Sequence, residues 1–129
     1  MDIKEIESFW ITEAKEALQV ADHLMEKDDY SYALFFGHLA IEKLLKALHA
    51  VKQKDHAPPI HNLMRLAKLA GIAVPEDKID ALIEISAFNI EARYPDFKRA
   101  FRKKCNAEYA GKQITVIKEI FEWLQKERT

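Results

Sequence analysis

The chain has 129 residues, 49% of them apolar and 32% charged, with a net charge of −1. That is room for one domain, 1–129, with a single core, and the balance is that of a globular chain rather than a disordered one. No apolar run approaches the roughly 20 residues of a membrane span, the acidic start MDIKEIESFW lacks the basic head of a secretory signal, and the lone Cys105 excludes an internal disulfide and a thiolate zinc site. A cytoplasmic protein without membrane association is the expectation. The charge is unevenly spread: nine acids against three lysines in residues 1–29, then six bases against Asp96 alone in residues 93–104.

Ile3, Ile6, Trp10, Ala14, Ala17, Ala21 and Leu24 recur at steps of three and four, which predicts a first helix with one buried stripe. Lys27 to Asp29 interrupts it, and Asp28 or Asp29 is suited to cap a second helix from about Tyr30 to Val51. Apolar residues cover most of that helix, among them Ala33, Phe36, Ala40, Ile41, Leu44 and Leu48, so it is expected at the centre. Gly37 lowers helix propensity by about 1 kcal/mol relative to alanine, which suggests that another backbone approaches closely there. Pro58 and Pro59 make 52–60 a loop. A short helix follows over about Asn62 to Ala70 and stops at Gly71, which readily takes the left-handed conformation. Pro75 fits the first turn of a fourth helix, carrying Ile79, Leu82, Ile83, Ile85, Phe88 and Ile90, and Pro95 is read as ending it. The final helix starts near the N-cap Asn106 and buries Ala110, Ile114, Ile117, Phe121 and Leu124. The sum is an all-α antiparallel bundle of four long helices plus one short helix.

Four ordered blocks carry a resemblance to a known family: Tyr32-Ala33 with His38-Leu39-Ala40-Ile41-Glu42-Lys43-Leu44-Leu45-Lys46-Ala47; Ile60-His61-Asn62-Leu63; Asn89-Ile90-Glu91-Ala92-Arg93-Tyr94-Pro95-Asp96; and a long last helix ending in Glu122-Trp123-Leu124. Together they resemble the prokaryotic HEPN domains over nearly the whole chain. In the second block isoleucine and asparagine stand where the family has threonine and aspartate. The resemblance implies frequent homodimerisation, in many members a minimal nucleotidyltransferase partner in a toxin–antitoxin pair, and binding of nucleotide or RNA; a homodimer is expected as well because the second helix is apolar over more of its circumference than a monomeric bundle needs. One branch of the family consists of metal-independent ribonucleases that use an arginine followed four to six residues later by a histidine. Here all five histidines precede the first arginine, Arg65, so that spacing is absent and no catalytic residue is assigned.

Several side chains are candidates for phosphate recognition. Arg93 presents a planar fork of donors that stays charged near neutral pH, and it is expected either to hold phosphate or to pair with an acid such as Glu42. Arg99, Arg102 and Lys103 lie in a basic run with Phe97 and Phe101 interleaved, as in single-strand binders; the run is read as a loop after Pro95. Tyr94 offers a ring for stacking, and Lys43 and His61 complete the candidate set. His38, Glu42, Lys46 and His49 share a sector of roughly 80° on the second helix. That line is read either as a solvated face with a Glu42–Lys46 pair or as a dimer face or ligand groove; no metal and no cofactor is expected. The leading reading is a nucleotide- or RNA-binding HEPN protein. The alternatives are a ribonuclease with non-standard residues and a purely structural subunit.

Overall fold

A computed structural model of the chain describes residues 2–128 as six α-helices: α1 (Ile3–Glu26), α2 (Tyr30–Gln53), α3 (Leu63–Ala70), α4 (Glu76–Glu91), α5 (Pro95–Lys104) and α6 (Ala107–Lys126), with no strand among the described residues. The all-α bundle is as expected from the apolar periodicities, with one more helix. The segment read as a basic loop is α5. Pro95 begins that helix instead of ending the previous one, because its missing amide and fixed φ suit a first helical position. Of the two aromatics on α5, Phe101 is buried against Phe88 of α4, with ring centroids 5.5 Å apart, whereas Phe97 stays half exposed.

Side-chain caps set three helix starts. Asp2, Asn62 and Asn106 each accept from the amide three residues on, at 2.8, 3.0 and 2.8 Å. Asp29 occupies the cap position of α2 without a side-chain bond, and Asp28 before it takes a left-handed φ of 61°. Gly71 closes α3 at φ 80°, and the amide of Ile72 reaches back to the Ala67 carbonyl at 2.9 Å. Pro75 caps α4 from outside instead of entering its first turn.

α2 packs on each of the other five helices, most extensively on α1. The α1 face against it is lined by Ala14, Ala17 and Ala21, whose small side chains permit close approach. At Gly37 a Cβ would stand 2.6 Å from Cδ1 of the buried Ile117. The close neighbour there is thus a side chain of α6, not the backbone the glycine suggested. Most of the apolar circumference of α2 is buried inside the chain, with Phe35, Phe36 and Leu39 left partly exposed.

Candidate functional site

The polar line of α2 is not a solvated face: His38, Glu42, Lys46 and His49 are all buried. Three of them hold the 54–62 loop. His49 Nδ1 donates to the Asp55 carbonyl at 3.3 Å, His38 Nε2 to the His61 carbonyl at 3.1 Å, and Glu42 Oε1 accepts from His61 Nδ1 at 2.9 Å. The carbonyls can only accept, so each histidine must carry its proton on the bonded nitrogen. The other Glu42 oxygen meets Lys46 Nζ at 3.1 Å, and that ammonium lies 5.0 Å from the centre of the Trp10 ring. Both oxygens of the buried carboxylate are therefore engaged by cationic or N–H groups, as a charge removed from water requires.

These bonds account for His61. Its carbonyl is held by His38 and its Nδ1–H by Glu42, while its ring is half exposed. Nε2 is left as the free nitrogen. Beside it lies a cleft of about 240 Å³ lined by His61 and Asn62 on one side and by Ile83, Ser86, Asn89 and Ile90 of α4 on the other. Ser86 is also structural: its Oγ accepts the Leu63 amide at 2.9 Å and so joins α4 to the start of α3. His38 has a pKa below the ordinary 6.5, chiefly because burial disfavours the imidazolium; its bond to the His61 carbonyl and the Glu42 charge oppose this. His38 Nδ1 is a buried lone pair with no partner.

Arg93 does not pair with Glu42, whose oxygens are already taken. Its Nε donates to the Asn89 carbonyl at 2.9 Å, and its guanidinium sits 5.4 Å from the Phe35 ring centre and 5.7 Å from that of Tyr94. Lys43 turns toward α1, where it pairs with Glu13 at 3.0 Å. Arg99, Arg102 and Lys103 come together with Lys98 around a surface groove of about 510 Å³ on α5. No acid is ion-paired to these four cations among the described residues. Lys98 and Arg102 lie 5.2 and 5.7 Å from the ring centre of Tyr32, at the start of α2. A hydrogen bond from Lys98, reinforced by the Lys98 and Arg102 charges, holds the Tyr32 phenol below its usual pKa.

Sequence reasoning counted Lys98 only as one of the six bases of the run and gave no role to Tyr32 or to a Glu42–His61 bond. The i,i+4 spacings 98–102 and 99–103 were the available sign that the basic run is helical. No group of three or more His, Cys, Asp or Glu side chains suited to a metal ion occurs among the described residues. Lys46 already supplies the cation at Glu42. Cys105, at the α5–α6 junction, is buried, and its thiol is pushed up to about 12 by burial, so it is a passive group.

Fold and site together define a helical bundle organised on one central helix, with a cationic groove and a separate carboxylate–imidazole pair. The HEPN domain family matches residues 7–128, and the chain belongs to that family. It is similar in fold to the protein TT1696 from Thermus thermophilus, known from a crystal structure, with a TM-score of 0.78 over 93% of this chain and 96% of that one at 24% identity. No curated protein sequence matches it. No helix among the described residues is long and apolar enough to cross a membrane.

Proposed function

We propose that this HEPN protein binds the phosphates of nucleotides or single-stranded RNA through the exposed face of α5. One observation carries the reading: Lys98, Arg99, Arg102 and Lys103 border a single groove with no acid paired to them. Cations spaced along a helix face neutralise successive phosphates, and the exposed rings of Tyr94 and Phe97 at the start of α5 supply stacking surface. Membership of the HEPN family supports two further parts of the proposal: a small nucleotidyltransferase as partner, and a homodimer. Large apolar side chains left exposed, such as Phe9 and Leu69, supply surface for self-association.

The test is titration of labelled single-stranded RNA and of nucleoside triphosphates at low and moderate salt. Native affinity should fall steeply with salt. Arg99→Ala/Arg102→Ala/Lys103→Ala should weaken binding at least tenfold and flatten the log–log salt dependence on single-stranded RNA by about two units of slope, ~0.7 for each lost phosphate contact. Absent binding, or binding unchanged in the variant, would favour the structural-subunit reading. Lacking the arginine-then-histidine spacing, the pure protein in chelator should leave the RNA intact; cutting that His61→Ala abolishes would favour the ribonuclease reading.

A further inference from the structure

The cleft beside His61 differs in chemistry from the α5 groove. Its lining holds no Lys or Arg: two isoleucines form apolar walls, and two asparagines, a serine and one imidazole provide neutral polar groups. That suits an uncharged, hydroxyl-bearing part of a ligand better than a phosphate. The imidazole is fixed in a particular way. Glu42 is buried and anchored by Lys46, so it cannot turn to follow the ring, and by accepting from Nδ1 it directs the unprotonated nitrogen of the neutral ring to Nε2. A carboxylate behind an imidazole also makes the far nitrogen a better proton acceptor, as in metal and hydrolase sites where the same pairing recurs. His38, with no exposed surface, fixes the same residue through its backbone carbonyl. A residue held at two points, lining a cleft and with Nε2 left to accept, is built to meet a donor.

The cleft also has a defined place relative to the cations. Tyr32 marks the α5 groove, Phe35 lies under Arg93, and His38 and Glu42 hold His61. Positions 32, 35, 38 and 42 lie on one side of α2 and span about 15 Å at 1.5 Å per residue. Groove, Arg93 and cleft therefore follow one another along a single helix.

We infer that the Glu42–His61 pair is a ribose-reading site, in which His61 Nε2 accepts a hydrogen bond from a sugar 2′-hydroxyl seated between the 60–62 turn and α4. Its ligand class rests on the reading of α5 as a phosphate-binding face. His61 is then the residue that separates ribonucleotides from deoxyribonucleotides, Glu42 and His38 are positioning residues, and α5 treats both sugars alike.

The experiment reads the ring nitrogens of the ¹⁵N-labelled full chain by NMR. In the free protein the His61 ring should show a protonated Nδ1 and an unprotonated Nε2. Uridine at millimolar concentration should move the Nε2 resonance, and 2′-deoxyuridine should not. Neither nucleoside carries phosphate, so this arm does not depend on α5, and an unmoved His61 ring, or equal movement by both, overturns the inference. With uridine and 2′-deoxyuridine trinucleotides, ribose should be preferred about fivefold, the worth of one neutral hydrogen bond. His61→Ala should abolish that preference by lowering ribose affinity more than deoxyribose affinity; an equal loss for both sugars counts against a sugar-reading role. His61→Gln retains an amide donor for Glu42 and serves as the folding control, with the preference again lost. Arg99→Ala/Arg102→Ala/Lys103→Ala should weaken both trinucleotides equally while the uridine shift at His61 persists, so failure at α5 and failure at His61 are read separately.

Discussion

His38 is where the buried network meets pH. The unfolded chain takes up a proton on this ring near the ordinary 6.5, whereas the folded chain does so only at a lower pH, since burial resists the charge. Between the two values the unfolded state binds more protons, so stability rises with pH. The contribution is complete above 6.5 and is lost as pH falls from there through the lowered folded value. Urea midpoints of the native protein should decline as the buffer is taken from pH 7 to pH 5, with a slope of at most about 1.4 kcal/mol per pH unit from this one ring. In His38→Gln the decline over that range should be visibly shallower. An identical slope in both proteins would place the titrating group elsewhere. The same variant should be less stable at pH 7 by about 1–3 kcal/mol if the His61 carbonyl loses its donor.

At the scale of single helices, the contact between α2 and α6 gives the sharpest expectation. Gly37→Ala gains about 1 kcal/mol of helix propensity, but its methyl must enter space held by Cδ1 of a fully buried Ile117. Overpacking of that kind costs about 1–3 kcal/mol, so the variant should be less stable. Ile117→Val removes the obstructing atom and alone costs about 0.5–1.5 kcal/mol. Combined, the two changes should be less destabilising than their sum, which a double-mutant cycle by chemical denaturation would measure; strict additivity would mean that Ile117 turns aside freely.

The same scale shows what could be read from residues alone. Asn62, Gly71 and Asn106 mark helix ends by local chemistry, and their helices end where that chemistry says. Pro95 is locally ambiguous, because proline both stops a helix and starts one, and α5 was hidden by that choice. His38, Glu42, Lys46 and His49 form a single angular sector whatever covers them, and helix geometry is silent on the cover. The loop that covers them is threaded by two prolines and carries no periodicity, so its path over α2 is a tertiary fact. The Glu42–His61 bond, nineteen residues apart in sequence, belongs to that path.

For the whole molecule, the central place of α2 alters the case for self-association. The other five helices cover most of its apolar surface and leave Phe35, Phe36 and Leu39 partly exposed, so the proposed dimer has these and the exposed apolar side chains of the outer helices to draw on. Light scattering at tens of micromolar should give twice the monomer mass, and a strictly monomeric mass would reject the homodimer. α6 completes the bundle from the far end of the sequence, and the notch at Gly37 governs how it does so. A slide of α6 by about one turn, near 5.4 Å, would bring Gln113 or Phe121 to the place of Ile117. One is polar and the other too broad for a slot that already excludes a methyl. A shift of three residues would instead present Ile114 or Ile120, but only with α6 turned by about 60° about its axis, which carries its buried stripe away from α2. The missing side chain at residue 37 thus acts as a detent, fixing the register of the last helix and with it the bond from Tyr109 of α6 to Glu84 of α4.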